Sequence, residues 1–389
     1  MKDFMKKDFN YILPTYKRHN LLLIKGKGKY VWNHENKRFL DFFSGLSVTN
    51  VGHVNPKVLR AVKKQSGKLM HVSNLYYTMP QIKLAQILSR RSLNGRVFFC
   101  NSGSESTETA IKIAKKFGRG ERDEIIVFHN SFHGRTLGAL SATVQMKFQK
   151  NFMPLVPGFK FAVFNDMKSV TGNITPRTCA IMLEPIQGEG GVNVADKNFL
   201  RDIREISSEK DIKLIFDEVQ CGLGRTGKLF AYEHFGVEPD ILCMAKGLGG
   251  GLPLGAAVVN PKLNSIFGYG DHGSTFGGNP VSCSAGIEVL NQLNDKLLSR
   301  VSGLGRYFLN LLVKLKSEFP VIKDVRGVGL MIGMELNKPG MPVVEFAQSK
   351  KLLLNCTNDT VIRFLPPFII NNKDIDYAIS VLREALKKC

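Results

Sequence analysis

Short apolar runs alternate with amphipathic segments through the middle of the chain. The runs are brief and uninterrupted, which is typical of strands buried on both faces of a parallel sheet. They predict strands at residues 97–100, 124–128, 179–183, 214–216 and 241–244. Helical periodicity predicts helices at residues 57–67, 80–91, 198–210, 280–293 and 297–318, with a further helix directly after residues 102–105.

The two ends of the chain carry a different pattern. Strand-like segments at residues 21–24, 29–32 and 38–41 follow the N-terminus almost immediately and are separated by Gly and Asn turns. Toward the C-terminus, strand segments are expected within residues 326–336 and 360–367, and an amphipathic helix is expected at 374–388.

An acid and an amine follow two of the predicted central strands. Asp217 comes directly after the run at 214–216, and Lys246 follows the run at 241–244 and precedes a Gly-rich segment. Ligands of α/β sheets bind beyond the carboxyl ends of parallel strands, so both side chains are expected to face one crevice. Such a pair suits pyridoxal phosphate, because the amine can form an imine with the cofactor aldehyde and the carboxylate can pair with the protonated ring nitrogen. Taken singly, a solvated lysine and a turn-capping aspartate would be the simpler interpretations.

A competing motif lies between these two residues. The segment Gly222 to Gly227, "GLGRTG", satisfies the G-x-G-x-x-G pattern of dinucleotide-binding folds. A dinucleotide loop should open a helix directly after its strand, whereas the predicted strand ends five residues earlier and the following "KLFAYEHFG" lacks a helical apolar stripe. The glycines are therefore predicted to belong to a loop.

Composition bounds the class of protein. With 389 residues, 43% hydrophobic and 22% charged, the chain is expected to be a globular protein of two or three units without a membrane span. The N-terminus lacks the features of a signal or transit peptide. Seven cysteines without a C-x-x-C pair indicate neither a disulfide framework nor a zinc site, which favours a cytoplasmic location and no bound metal.

The formal net charge of +21 raises a different class of function, the binding of nucleic acid or an anionic surface. The lysines, however, are spread along the whole length, and the densest runs lack interleaved aromatic residues or a binding motif. A compositional bias toward lysine is the simpler cause, and a purely non-specific affinity would disappear at modest salt. We therefore expect no nucleic-acid partner.

The stretch from Lys213 to Gly250 resembles the signature of the class-III (subgroup II) aminotransferases. It contains D-E-(apolar)-x-x-G, an acidic residue before an apolar pair, and then a lysine followed by small residues. Further segments that resemble the family are "NSGSESTETA", "FHGR", "EPIQGEGG" and "HGSTFGGNP", so that the similarity covers nearly the whole chain. It implies Lys246 and Asp217 as the catalytic residues and pyridoxal 5′-phosphate as the cofactor.

The resemblance also implies an architecture. The expected fold is α/β, that of the fold-type-I transferases dependent on pyridoxal phosphate, with a mostly parallel central sheet flanked by helices and a smaller α+β domain formed from both termini. Residues 1–58 would form an N-terminal arm with a small three-stranded sheet. Residues 59–293 would form the large cofactor-binding domain, and residues 294–389 the C-terminal small domain.

The family pattern assigns further cofactor contacts. Phosphate contacts are implied for Gly103 and Ser104, where a capped helix N-terminus offers free amides and a hydroxyl. Phe132 would stack on one face of the pyridine ring and Val219 would pack on the other. Gln220 would reach the ring hydroxyl. Across a two-fold axis, Thr275 would contact the cofactor phosphate of the partner subunit in a homodimer. His133 receives no catalytic role.

Substrate contacts follow from the same resemblance. Arg135 would bind a substrate carboxylate, because its planar fork suits that geometry, and Ser274 would lie near the substrate. Glu189 is expected to pair with Arg363. Paired, the two would accept an uncharged chain beside the reacting amine; separated, Arg363 would bind the α-carboxylate of 2-oxoglutarate. An ordinary surface salt bridge is the simpler alternative.

One position bears on the amine donor. Relatives that act on free ornithine carry a tyrosine two residues after the serine-like position, where this chain has Leu46, and acetylornithine aminotransferases have an aliphatic residue there. Leu46 therefore favours N-acetylornithine as the donor, with arginine biosynthesis as the setting. Ornithine, succinylornithine, acetyl-lysine-type donors and 4-aminobutyrate remain open alternatives.

Overall fold

The computed structural model describes residues 2–388, so Cys389 lies outside the described residues. Strand positions agree closely with the apolar runs, and those at residues 97–100, 124–128 and 241–244 coincide with them. The strands are β1 (Leu23–Lys27), β2 (Tyr30–Asn33), β3 (Arg38–Asp41), β4 (Val97–Cys100), β5 (Glu124–Phe128), β6 (Phe159–Ala162), β7 (Thr178–Leu183), β8 (Ile186–Gln187), β9 (Asn193–Val194), β10 (Lys213–Asp217), β11 (Ile241–Met244), β12 (Gly255–Val259), β13 (Ile322–Val328), β14 (Met331–Leu336), β15 (Leu352–Leu353), β16 (Asn355–Thr357) and β17 (Val361–Phe364).

The predicted helices are present with boundaries shifted by at most two residues. The helices are α1 (Lys2–Tyr11), α2 (Ser44–Ser47), α3 (Pro56–Ser66), α4 (Met79–Arg90), α5 (Gly103–Phe117), α6 (Leu137–Ala142), α7 (Met146–Gln149), α8 (Met167–Asn173), α9 (Lys197–Glu209), α10 (Pro280–Gln292), α11 (Asp295–Glu318), α12 (Met341–Ser349) and α13 (Asn372–Lys388). Short 3-10 turns occupy Lys150–Phe152, Ala231–His234, Lys246–Gly249 and Pro261–Leu263.

A seven-stranded sheet in the order β4-β12-β11-β10-β7-β5-β6 forms the centre of the described chain. The pairs β11/β10, β10/β7, β7/β5 and β5/β6 are parallel, whereas β12 runs antiparallel to both of its neighbours. Every residue of β5, β7 and β11 is buried, since helices cover both faces. The predicted α/β class with a mostly parallel sheet is confirmed.

The register of β10 and β11 decides where the site can form. Asp217 pairs with Cys243 in parallel register, and Lys246 follows the end of β11 by two residues. Both side chains therefore leave the sheet at the same carboxyl edge, as the spacing of the apolar runs predicted.

Smaller sheets draw on both ends of the chain. One has the order β1-β2-β3-β15, and the other has the order β13-β14-β17-β16. The expected three-stranded N-terminal sheet is thus wrong by one strand, because β15 from the C-terminal part adds in parallel to β3. With two residues, β15 is too short to give a periodic signal. The domain boundaries at residues 58 and 293 stay a prediction.

Some elements of the structure were not among those predicted. The described chain opens with helix α1, ahead of the predicted strands; its sequence, "KDFMKKDFNY", has a mixed polar pattern that did not predict a helix. Strand β12 had no prediction, since it follows a Gly-rich segment and carries only small apolar residues. The glycines of "GLGRTG" lie in a loop, as predicted: Gly224 and Gly227 have a φ of 87°, and no helix begins there.

Residues 2–388 contain neither a helix that could span a bilayer nor a metal-binding cluster. In that part of the chain, every helix falls short of the length or the hydropathy that a bilayer crossing requires. Within the same residues, no three His, Cys, Asp or Glu side chains cluster in a way that could bind a metal ion. The six cysteines that the structure describes are unpaired.

Candidate active site

A cavity of about 190 Å³ opens at the carboxyl edge of the central sheet. Its walls come from the N-terminus of α5, the segment after β5, the segment after β7 and the ends of β10 and β11. The lining residues are Ser102, Gly103, Ser104, Phe132, His133, Gly134, Glu184, Glu189, Asp217, Val219, Gln220 and Lys246. Eight residues expected from the sequence to serve the cofactor or the substrate therefore meet in one place.

Helix α5 begins at the wall of this cavity. Ser102 caps it by accepting a hydrogen bond from the Glu105 amide at 3.2 Å. A Cβ at Gly103 would lie 2.7 Å from Val219 Cγ1, so a glycine is required where the helix start approaches β10. The Ser104 hydroxyl accepts a hydrogen bond from the Arg135 amide at 3.0 Å, which ties the next wall to the helix. The result is a helix N-terminus held open toward the cavity, an arrangement that suits an anion.

Asp217 is buried and paired with His133, a residue whose role the sequence did not reveal. Its Oδ2 lies 2.7 Å from His133 Nδ1, and its Oδ1 accepts a hydrogen bond from the Val219 amide at 3.0 Å. The His133 Nε2 atom is buried without a hydrogen-bond partner among residues 2–388. Because the two residues are 84 positions apart, only the packing of β5 beside β10 through β7 could bring them together.

Lys246 begins a 3-10 turn with a φ of 45°, a left-handed conformation that aims the end of β11 into the cavity. Desolvation is the largest cause that lowers the pKa of its amine, and the nearby Arg363 guanidinium lowers it further. Asp217, Glu184 and Glu189 act in the opposite direction but do not offset these effects. A lowered pKa gives the amine a larger neutral fraction near pH 7, as a proton acceptor needs.

Glu184 is the first residue of the "EPIQGEGG" segment, and, like His133, it received no role from the sequence. Its carboxyl accepts hydrogen bonds from the Phe132 amide at 2.9 Å and from the Gly188 amide at 3.0 Å. Burial raises its pKa to about 7, helped by the charge of Asp217 and opposed by His133. Glu184 thereby fixes the backbone of Phe132 at the cavity wall.

Arg363 is fully buried on β17 and lies at the centre of a polar cluster. Its Nη1 lies 3.0 Å from Glu189 Oε2 and donates to Gln220 Oε1 at 3.1 Å. Its Nε and Nη2 both donate to Asn355 Oδ1, at 3.0 and 2.6 Å. Asn355 went unnoticed in the sequence, where a lone asparagine on a short strand gives no signal. In this structure Gln220, expected to reach the cofactor ring hydroxyl, has its amide oxygen engaged by Arg363.

The ion pair between Glu189 and Arg363 is asymmetric in its exposure. The Arg363 side chain is 1% exposed and that of Glu189 is 29% exposed. Desolvation acts to raise the pKa of Glu189, but the Arg363 charge and hydrogen bond outweigh it and hold that pKa below its usual value. Glu189 is thus the partner that solvent reaches, whereas Arg363 is enclosed.

Besides Arg363, four residues singled out from the sequence lie outside the cavity lining. Arg135 is exposed, with its guanidinium 4.0 Å from the ring centre of Phe148. The Ser274 hydroxyl accepts a hydrogen bond from Asn101 Nδ2 at 3.1 Å. Both Thr275 and Leu46 are exposed.

Comparison with known proteins agrees with this geometry. Residues 12–386 match the family described as aminotransferase class-III. An acetylornithine aminotransferase of Methanocaldococcus jannaschii is 51% identical over 384 residues, which cover 96% of this chain and 95% of that protein.

Solved structures give the same picture. A structure of the ornithine aminotransferase from Toxoplasma gondii, described with partial occupancy of PLP at its active site, has a TM-score of 0.96 at 32% identity and covers 100% of this chain and 94% of that one. An acetylornithine aminotransferase from Elizabethkingia anophelis has a TM-score of 0.88 at 30% identity, with 100% and 99% coverage.

Proposed function

The chain belongs to the class-III aminotransferases, and on that basis we propose that it transfers the terminal amine of N-acetylornithine to 2-oxoglutarate. The products are N-acetylglutamate semialdehyde and glutamate, and the setting is arginine biosynthesis. The observation that carries the proposal is that Lys246, Asp217 and Glu189 line one cavity, with Arg363 directly behind it and paired with Glu189 at 3.0 Å. Enzymes of this family use pyridoxal 5′-phosphate.

The residues present fit that cofactor. Asp217 is a buried carboxylate whose partners are a histidine ring and one backbone amide, so a protonated ring nitrogen would complete its surroundings. Phe132 and Val219 would flank the ring, and the start of α5 at Gly103 and Ser104 would hold the phosphate. When bound, the cofactor supplies an aldehyde for the lysine and an electron-withdrawing ring for the donor carbon.

Lys246 would move the proton. With the donor amine in its place at the cofactor, its neutral Nζ would accept the proton that leaves the donor carbon and would deliver that proton to the carbon that had carried the cofactor's aldehyde. The lowered pKa of Lys246 favours this neutral form, and the nearby carboxylates Asp217 and Glu189 stabilise the ammonium that forms. His133 keeps Asp217 oriented by the 2.7 Å contact, which makes it a positioning residue.

The Glu189–Arg363 pair would let one cavity accept two kinds of substrate. With Glu189 at 3.0 Å, the Arg363 charge is neutralised and the uncharged part of an amine donor can lie beside it. When 2-oxoglutarate enters, its α-carboxylate would replace Glu189, which is the more exposed partner and can move to solvent. Asn355 and Gln220 keep the guanidinium in place in both situations. Arg135 would bind the remote carboxylate of either substrate, and Ser274 would lie near it.

A half-reaction screen of amine donors tests the substrate. Loss of the cofactor's imine absorbance would be followed with acetylornithine, ornithine, succinylornithine, acetyl-lysine and 4-aminobutyrate. We expect acetylornithine to react with the highest kcat/KM, in line with the aliphatic Leu46 and with the 51% identical relative named for that substrate. A wide margin in favour of free ornithine would refute this choice. Borohydride reduction should attach the coloured cofactor covalently to Lys246. A protein in which Lys246 carries no such label would refute the enzyme assignment.

We further propose that the active unit is a homodimer in which Thr275 reaches the partner's cofactor phosphate. An exposed apolar band supports it: the residues of this band are Leu69, Met70, Leu75, Tyr76, Tyr77 and Met79. Asn74 within the band donates hydrogen bonds to the Ser274 carbonyl at 3.0 Å and the Gly277 carbonyl at 2.9 Å, so the band and the Thr275 loop share one surface. An exposed apolar surface of this kind marks a protein interface.

Subunit mixing tests this arrangement. Lys246→Ala and Thr275→Ala homodimers should both be impaired, the second through weaker cofactor binding. If Thr275 acts across the interface, a mixed dimer contains one intact site and regains part of the activity. No recovery on mixing, with exchange confirmed by mass, would contradict it. The cytoplasmic location expected from the sequence stays a prediction.

A further inference from the structure

Residues Ser44 to Ser47 form a turn of left-handed hand beside the active-site region. Their φ values are 51°, 58°, 66° and 65°, and three of the four residues are not glycine. For a residue with a Cβ, this conformation is less favourable than the right-handed one. A conformation this unfavourable persists only where surrounding contacts enforce it. The contacts at the two ends of the turn therefore indicate its structural role.

The turn is held at both ends by buried polar groups. At its start, Asp41 Oδ1 accepts hydrogen bonds from the Phe43 amide at 2.8 Å and the Ser44 amide at 2.9 Å. At its end, the Ser47 hydroxyl accepts a hydrogen bond from Arg225 Nε at 2.9 Å. Arg225 belongs to the "GLGRTG" loop, which neither the dinucleotide interpretation nor the proposed mechanism explains.

Arg225 is fully buried and reaches four acceptors on three separate segments. Besides Ser47 it donates to Asn50 Oδ1, to the Leu330 carbonyl at 3.0 Å and to the Pro366 carbonyl at 2.7 Å. None of these four acceptors is a carboxylate. Burial therefore lowers the pKa of Arg225 to about 9, and the side chain remains a cation at neutral pH. A buried cation satisfied by neutral oxygens is costly, which indicates a role that a hydrophobic residue could not fill.

Two of these acceptors lie next to the backbone of residues at the active site. The Ser47 hydroxyl is 3.5 Å from the carbonyl oxygen of Gln220, whose side chain lines the cavity and accepts from Arg363. Asn50 lies so close to the residue after Lys246 that a Cβ on Gly247 would be 2.6 Å from Asn50 Nδ2. Arg225 is thus linked through Ser47 to the backbone of Gln220, and through Asn50 to the residue that follows Lys246.

We propose that Arg225 is a positioning residue for the transamination: through Ser47 and Asn50 it fixes the left-handed turn against Gln220 and the backbone of Lys246. The inference rests on the proposed function, because it concerns how the proton-moving amine and the Arg363 cluster are held. A rigid fork with four hydrogen bonds suits this task, since reacting groups must be held within about 0.5 Å.

Arg225→Lys is the primary test. Lysine keeps the charge but carries its donors on one nitrogen, so it cannot reach all four acceptors. A displacement of about 1 Å can cost about 100-fold in rate. We expect kcat to fall by about 10- to 100-fold in both half-reactions, with a smaller change in KM, while the cofactor remains bound.

Arg91→Lys is the matched control. Arg91 is partly buried and, like Arg225, donates to two backbone carbonyls, those of Leu290 at 2.8 Å and Leu293 at 2.6 Å, but it is not bonded to a residue of the cavity lining. It should lose stability without losing kcat. Equal behaviour of the Arg91→Lys and Arg225→Lys variants, with normal kcat in both, would overturn the proposal.

Two further measurements separate positioning from general stability. In the cofactor-free protein, amide hydrogen exchange of the Arg225→Lys variant should rise at residues 42–50 and 246–250 and stay unchanged in β5 and β7. In a double-mutant cycle, Ser47→Ala should slow the reaction in the wild type and add little to Arg225→Lys. Uniform exchange or strictly additive effects would contradict the proposal.

Failure of the inference can be told apart from failure of the proposed function. If the wild type does not react with acetylornithine, the function is wrong, whereas the exchange pattern still reports on Arg225. If Arg225→Lys does not fold, Ser47→Ala alone decides: it keeps the guanidinium and removes the hydroxyl beside Gln220. A wild-type kcat in Ser47→Ala would then overturn the proposal.

Discussion

Replacing Glu189 with glutamine should change the two half-reactions in opposite directions. The variant removes the charge that neutralises Arg363 at 3.0 Å. Arg363 itself should stay in place, because Asn355 and Gln220 hold it with three hydrogen bonds of 2.6–3.1 Å. The perturbation is therefore confined to the charge that a substrate meets beside the reacting carbon.

The magnitude follows from one charge-assisted contact. Such a hydrogen bond contributes about 1.5–3 kcal/mol, and 2 kcal/mol corresponds to about 30-fold in an equilibrium constant. In the wild type, 2-oxoglutarate must displace Glu189 to reach Arg363, so the variant should raise kcat/KM for 2-oxoglutarate by up to about 30-fold. Acetylornithine would meet an unneutralised buried cation, and its kcat/KM should fall by a similar factor.

Stopped-flow absorbance measures each half-reaction separately. Glu384→Gln is the control, because Glu384 forms an exposed ion pair with Lys350 at 2.7 Å and neither residue lines the cavity. It should leave both rates unchanged. If Glu189→Gln changed both half-reactions by the same factor, or neither of them, the switch would be refuted.

Acid should act on the same contact. The pKa of Glu189 lies below its usual 4.5, with desolvation opposing and Arg363 outweighing it, so the carboxylate stays charged throughout pH 5–8. The pair is lost only as the pH falls through that lowered pKa. In that acid range the ratio of the two wild-type half-reaction rates should approach that of Glu189→Gln, and an equal fall of both rates would contradict the assignment.

Three further substitutions test the cofactor site. Lys246→Ala should lower kcat by about 10²- to 10⁴-fold, and added small amines should restore part of the rate in half-reaction assays; full activity would exclude Lys246 as the proton carrier. Gly103→Ala puts a Cβ 2.7 Å from Val219 Cγ1 and should weaken cofactor binding by about tenfold, measured by equilibrium titration; wild-type affinity would show that the helix start has no such contact. His133→Ala removes the 2.7 Å contact to Asp217 and should weaken cofactor binding by about 10- to 100-fold, whereas an unchanged dissociation constant would exclude the positioning role.

The elements that could be predicted from the sequence are those with a local signal. The apolar runs of β4, β5 and β11 gave their boundaries, and the capped turn at Ser102 gave the start of α5. The two-residue β15 and the small-residue strand β12 gave no such signal, because their burial depends on distant partners rather than on periodicity.

The same distinction applies to the site. The proximity of Asp217 and Lys246 could be predicted from the sequence, since parallel strands end at one edge of a sheet. His133 and Glu184 could not be given roles, because their contacts with Asp217 and with the Phe132 amide span 84 and 52 positions.

The sequence by itself determined the fold class, the family and the acid, amine and ion pair that carry the proposed chemistry, because each is encoded in a short segment or a repeating spacing. Only the tertiary structure decided which buried groups hold those residues in place. Arg225 illustrates this, since its contacts with Ser47 and Asn50 span 178 and 175 positions. The physical reason is that a polar group buried in a protein interior must find its partners wherever packing brings them, irrespective of distance along the chain.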